Sequence, residues 1–281
     1  MTGEQAVPGE RAGTGTMTRG LVRTSAGWMH YRSLGDGPAV VLLHINAQSS
    51  AVMTELVTEL AQHGLRGVAV DYPSCGSSDH VPGQPSIEDY ARWTLELADG
   101  LGIGSFTVAG EATGSFIAAE VAAQAPDRVT GLVLVNCPLR RRAEVFPERV
   151  AVTPELRPAD ETGFPVVRTL DFLLTVDPEH SPMHPTQEWL DRLNIAQIEA
   201  GRDRWQVITA LTRHAVEDSL DRVRCPALVL AGEHFYLASR VDELVAMLPG
   251  ARGAILKDAR FCATWERAPE IAGEIAQFVS G

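Results

Sequence analysis

Phe106-Thr107-Val108-Ala109-Gly110-Glu111-Ala112-Thr113-Gly114-Ser115-Phe116-Ile117-Ala118-Ala119-Glu120 is the stretch from which the fold is read. It opens on a short, mostly apolar run of strand length, and residues 115–124 form an Ala/Ile/Val-rich helix that Pro126 stops. Between strand and helix stand Gly110 and Gly114, which mark a sharp turn. Working outward in both directions, the same alternation repeats. Upstream, residues 21–24 and 28–33 suit an opening hairpin, 40–43 a buried strand, 51–63 a helix and 67–70 a strand; a helix over 87–101 starts after Ser86, a residue that caps helices well. Downstream come strands at 131–135, 227–230 and 254–256 and helices at 239–247 and 267–279. Short apolar runs alternating with amphipathic helices predict an α/β protein, a mostly parallel sheet with helices on both faces.

The spacing breaks once. About ninety residues separate the strand ending at Val135 from the one starting at Ala227, far more than a crossover needs. They read as an inserted helical cap, with helices near 164–175, 186–200 and 203–217 carrying Trp189 and Trp205. The expected organisation is a flexible tail over 1–19, a core of 20–137 with 221–281, and a cap over 138–220.

Composition removes whole classes of function. The chain has 281 residues, 45% hydrophobic and 21% charged, enough to bury a substantial core without staples. Its 36 acids against 24 bases give a net charge of −12, which repels a phosphate backbone, and Arg140-Arg141-Arg142 is too short a basic run to reverse that. No nucleic acid and no membrane is expected as a partner; a small-molecule substrate is, and a homodimer is left open. Lys257 is the single lysine, which disfavours Schiff-base and pyridoxal chemistry. Cys75, Cys137, Cys225 and Cys262 are widely spaced, and Pro182 and Pro185 interrupt the helix that would align His180 with His184, so neither a disulfide framework nor a metal centre is expected. No cofactor is expected. The first 19 residues lack an apolar secretory core, and the expected location is the cytoplasm.

Four stretches carry a likeness to a known family. Leu42-Leu43-His44-Ile45-Asn46 resembles an oxyanion loop of the type LLHG, and residues 71–79 (DYPSCGSSD) resemble a loop of the type D-x-x-G-x-G-x-S-D. Gly110 to Gly114 stands where a nucleophile elbow G-x-S-x-G belongs, and Leu228-Val229-Leu230-Ala231-Gly232-Glu233 resembles the strand that precedes the catalytic acid. Four motifs in this order, with a cap after the sixth strand, resemble the α/β-hydrolase fold across roughly residues 21–280. The resemblance implies an eight-stranded sheet and a nucleophile, an acid and a histidine at its carboxyl end.

At each of those three positions this chain departs from the family. The nucleophile position falls on Ala112, the acid position on Phe235, and the histidine position, counted back from Glu266, on Phe261. Ile45 and Ser74 replace two conventional loop glycines. The expectation is a member without the triad, whose Ala112, Phe235 and Phe261 line an apolar floor, with Tyr236 and Trp265 near it and Ile45 and Thr113 beside the turn as binding residues. Backbone N–H groups of Thr113 and of Ile45 or Asn46 remain able to stabilise an oxyanion. The candidate catalytic side chains are His44, Asn46, Glu111 and His234: three for proton transfer and Asn46 to orient a carbonyl. The expected function is cofactor-independent and non-hydrolytic, a cyclisation, C–C bond formation or lyase step on a bulky aromatic or apolar molecule. A silent small-molecule-binding protein and an esterase using displaced residues are the alternatives.

Overall fold

A computed structural model describes residues 15–46, 48–139, 141–144 and 185–281. Eight strands form one sheet: β1 (Thr18–Thr24), β2 (Gly27–Leu34), β3 (Ala39–Leu43), β4 (Arg66–Val70), β5 (Phe106–Glu111), β6 (Val129–Val135), β7 (Ala227–Gly232) and β8 (Arg252–Leu256), in the order β1-β2-β4-β3-β5-β6-β7-β8. β2 pairs antiparallel with β1 and β4, and every other pairing is parallel. The helices are α1 (Thr54–Gln62), α2 (Ile87–Gly100), α3 (Thr113–Gln124), α4 (Gln187–Ala200), α5 (Gln206–Thr212), α6 (Val216–Leu220), α7 (Val241–Met247), α8 (Ala263–Glu266) and α9 (Ala268–Ser280). This is the expected α/β architecture.

Strand alternation divides the core between the two faces of the sheet. Val41, Leu43, Val68, Val70, Val108, Leu132 and Leu134 pack with Phe116 and Ile117 of α3 and with Ile87, Tyr90 and Leu97 of α2. Their neighbours Val40, Leu42, Ala69, Ala109, Val133 and Val135 face the other way, onto Leu56, Val57 and Leu60 of α1 and Ile271 and Ile275 of α9. Both faces are covered, so the strands read as near-continuous apolar runs. The helix that starts after Ser86 does so through a reciprocal cap: Ser86 Oγ accepts from the Asp89 N–H at 3.2 Å, and Asp89 Oδ2 accepts from the Ser86 N–H at 3.0 Å.

Several boundaries differ from the expected ones, each for a tertiary reason. β1 begins at Thr18, inside the stretch expected as tail, because Thr18 pairs with Ser33. β5 runs on to Glu111 because Gly110 and Glu111 keep pairing with Leu134 and Val135 of β6. The expected helix over 203–217 is broken into α5 and α6 at residues 213–215, where His214 turns inward. A one-turn helix, α8, precedes the last helix. The expected helix over 164–175 and the pair His180/His184 lie outside the described residues. No helix of the described residues is long and apolar enough to cross a membrane.

Of the described cap elements, α4 seats directly on the core. Trp189 and Leu193 are buried among Val52, Met53, Ala112 and Cys262, and Arg192 ties the helix down with paired bonds to Glu55 at 2.9 and 3.0 Å and one to the Ala51 carbonyl at 3.1 Å.

Candidate active site

β5 lies at the centre of the sheet, between β3 and β6, and its carboxyl end runs into α3 through one residue. That residue, Ala112, has φ 49° and ψ −109°, a left-handed conformation that costs an alanine about 1–3 kcal/mol. The surroundings impose it: Ala112 N–H donates to the Val135 carbonyl at 3.0 Å and its own carbonyl accepts from Ser115 N–H at 3.1 Å. The two glycines exist for close approach. A Cβ on Gly110 would lie 2.1 Å from the Gly114 oxygen, and one on Gly114 would lie 2.1 Å from the Leu43 oxygen. The turn therefore presses α3 against the end of β3, which sets His44, Ile45 and Asn46 next to it. Ala112 presents only a methyl group, 3% exposed, and offers α3 no side-chain cap. The first N–H groups of that helix, Thr113 among them, carry the positive end of the helix dipole.

His44 is fully buried. Its Nδ1 lies 2.7 Å from the Ile45 carbonyl; a carbonyl only accepts, so Nδ1 carries the proton and Nε2 keeps a lone pair, which has no partner. Burial lowers its basicity, and its ring stacks on Tyr72 at 3.9 Å. Tyr72 in turn donates its hydroxyl proton to the His44 carbonyl. Asn46 Oδ1 is likewise buried without a partner. Ile45 packs in the same apolar cluster as Ala112. Ser74, in the place of a loop glycine, adopts the glycine-like φ of 66°.

Glu111 takes a different place from the one expected of a proton-transfer group. Its Oε1 accepts from Ala263 N–H at 2.6 Å and from Asn136 Nδ2 at 3.3 Å, and its Oε2 accepts from Thr264 N–H at 3.3 Å and from the Thr264 hydroxyl. It caps α8 from across the sheet. Burial pushes its carboxyl up to about 7, against the pull of these four donors. Asn136, which sequence reasoning missed, completes the clasp from φ 47° at the end of β6. Its Nδ2 donates to the Arg260 and Phe261 carbonyls at 2.8 and 3.1 Å, and its Oδ1 accepts from Gly232 N–H at 2.9 Å. An asparagine directly after an apolar strand was the available signal, since Asn tolerates left-handed backbone. Glu111 and Asn136 thus lock the elbow, β7 and the 260–264 segment together.

Phe235 is buried, and its ring lies 6.2 Å from Phe261, which is half-buried and packs against both core clusters. Trp265 stacks on Trp189 of α4 at 4.6 Å. Tyr236 departs from the expected wall: it is 60% exposed and leans on Phe235 from outside at 4.6 Å. The structure places His234 beside Glu233 and Asp258, with donor atoms of the three within 4.8 Å. Arg260 pairs with Glu266 at 2.6 Å. All four cysteines are free and buried, and burial pushes their thiols up, Cys137 to about 12 and Cys225 to about 11, so none is a ready thiolate.

The family model described as alpha/beta hydrolase fold matches residues 38–234. A putative non-heme haloperoxidase of Mycobacterium phage D29 is 36% identical over 104 residues, 37% of this chain and 37% of that protein. The chain thus aligns with little more than a third of the length of the first curated relatives it matches. An (E)-2-((N-methylformamido)methylene)succinate hydrolase of Acinetobacter baylyi is 23% identical over 216 residues, 72% of this chain and 74% of that protein. Among solved structures, an epoxide hydrolase from an endophytic Streptomyces superposes with a TM-score of 0.77 at 22% identity, covering 94% of this chain and 96% of that one; that likeness is one of fold.

Proposed function

The chain belongs to the alpha/beta hydrolase fold family, and from that premise we propose that it is an enzyme that works without the family's covalent step. The observation that carries the reading is Ala112, a methyl group held in the strained turn where the fold presents its nucleophile, with the uncapped amino end of α3 behind it. A methyl group cannot attack a carbonyl, yet the N–H groups beside it still stabilise negative charge on a substrate oxygen. One such donor is typically worth about 10²–10³ in rate. Enolates and phenolates qualify as well as tetrahedral intermediates, so proton abstraction followed by cyclisation, C–C bond formation or elimination fits the turn. Phe235 and Phe261, standing at the acid and histidine positions, favour a bulky aromatic or apolar substrate. His44, whose Nε2 lone pair is unspent, is assigned proton transfer, and Asn46 the orientation of a carbonyl. Glu111 acts through the clasp, as a positioning residue. The reading has the chain work in the cytoplasm without a cofactor.

Hydrolysis is the second reading, supported by the Acinetobacter hydrolase that aligns over 216 residues. One experiment separates the two. Small-molecule extract is incubated with the protein, with boiled protein and with an Ala112→Trp variant that fills the turn, and the masses are compared. A substrate converted to a product of equal mass, to the sum of two reactants or to two fragments without added water supports the proposal. A gain of water returns the protein to hydrolysis, and a compound that co-purifies unchanged with the fresh protein but not with the filled variant makes it a binding protein.

A further inference from the structure

The chain returns from the cap to the sheet through α5 and α6, and this leg is fastened by a line of side chains remote from the elbow. His214, 7% exposed, sits in the bend between the two helices. Its Nε2 lies 2.8 Å from Ser219 Oγ on α6, and its Nδ1 lies 3.3 Å from Glu88 Oε1 on α2. Ser219 Oγ, wholly buried, donates to Glu120 Oε2 on α3 at 2.7 Å. That same carboxylate oxygen is paired with the Arg222 guanidinium, and Gln124 Nε2 donates to the other at 3.0 Å. The Phe116 ring lies edge-on to the imidazole, 6.3 Å between centroids.

The protons in this line can be counted. A serine hydroxyl has one proton, and the Glu120 oxygen that also pairs with Arg222 receives it. Ser219 Oγ is then an acceptor toward His214, so Nε2 must carry a proton. Glu88 also only accepts, so Nδ1 must carry one too. The line closes only with an imidazolium, which sets two cations, His214 and Arg222, against two carboxylates. A neutral ring leaves a bare lone pair either facing the half-exposed Glu88 carboxylate, which forfeits the ion pair, or facing the buried Ser219 oxygen, which breaks a bond where water does not reach. The bond from His214 is also the first cause that holds Glu88 down at about 2.

We propose that the α5–α6 leg is seated on the core by a proton-dependent latch, docked through a doubly protonated His214 and loosened when that ring loses a proton. The charged groups facing the ring are Glu88 from α2 and, through Ser219, Glu120 from α3 with Arg222; Glu217 and Asp218 of α6 are engaged instead by Arg141 and Arg142. The leg is continuous with α4, whose Trp189 stacks on Trp265, so loosening reaches the wall of the elbow site. The latch holds whichever reaction the elbow performs.

The test is amide deuterium exchange of the whole chain, read on peptides spanning 206–223 at pH 6 and pH 9, which bracket ordinary histidine titration, with labelling times scaled to intrinsic exchange. Protection of the leg in the wild type is expected to fall by about tenfold at pH 9, while His214→Gln shows no such pH response. Equal protection of the wild type at both values, or the same loss in His214→Gln, overturns the proposal. Should His214→Gln fail to fold, nitrogen-15 spectra of the wild-type imidazole at pH 6 decide: two ring protons support the latch, and one overturns it.

Discussion

Under the proposed reading Ala112 sets the chemistry, and its replacement gives the sharpest test at the scale of a single residue. Ala112→Ser puts a hydroxyl on a turn already in a positive-φ conformation, but under the proposed reading Phe235 and Phe261 stand where a hydrolase would hold its acid and histidine, which leaves that hydroxyl without the family's activating pair. Turnover of chromogenic esters by Ala112→Ser is expected to stay within about tenfold of the wild type, since an unactivated serine is a weak nucleophile. A rise of about a thousandfold would reveal a base that the sequence positions do not supply. Glu111 gives a second prediction, on stability. Its folded carboxyl stands near 7 against 4.5 for the free group, so its contribution is fully present below about pH 4.5 and is lost as pH rises through about 7, roughly 3 kcal/mol at the most. Urea denaturation midpoints across this range should fall in the wild type and flatten in Glu111→Gln.

Elements were legible wherever one strand or helix supplied its own signal. The apolar runs of β3 to β7 and the serine before α2 needed no tertiary knowledge, because burial on both faces and a local cap each leave a mark within a few residues. The elbow was legible through its two glycines, Gly110 being demanded by the Gly114 backbone beside it and Gly114 by the end of β3 packed against it. Gly114→Ala would drive a methyl group to 2.1 Å from the Leu43 oxygen, and backbone on both sides leaves nothing to yield. Circular dichroism melting of Gly114→Ala is expected to show a loss above about 3 kcal/mol, or no folded protein. A near-native melting curve would mean that the turn opens more easily than its geometry implies. The elements that sequence misjudged, the broken α5–α6 leg and the one-turn α8, are those whose ends are fixed by remote partners: His214 by Glu88, and the amino end of α8 by Glu111.

For the molecule as a whole, the seating of α4 on the core is the contact to probe. Trp189 is wholly buried between Ala112, Leu193 and Trp265, and its removal leaves a large cavity beside the elbow. Trp189→Ala is expected to cost about 3–5 kcal/mol, measured by denaturant unfolding, and to weaken retention of any aromatic ligand in proportion; unchanged stability would show that α4 does not share the core. By itself the sequence determined the α/β class, the order of the strands along the chain and the sharp turn after β5 with alanine at its centre. These are properties of residue type and short-range period, and periodicity records which face is buried. Only the tertiary structure decided that Glu111 is a clasp, that Asn136 ties three strand ends to one loop, that Tyr236 lies outside the wall, and that His214 joins two core helices. Glu111 meets Ala263 across 152 residues and Ser219 meets Glu120 across 99. A polar side chain carries no mark of which distant donor will satisfy it, because hydrogen-bond partners are chosen by how the packed helices and strands bring groups within about 3 Å, after the apolar pattern has fixed the fold.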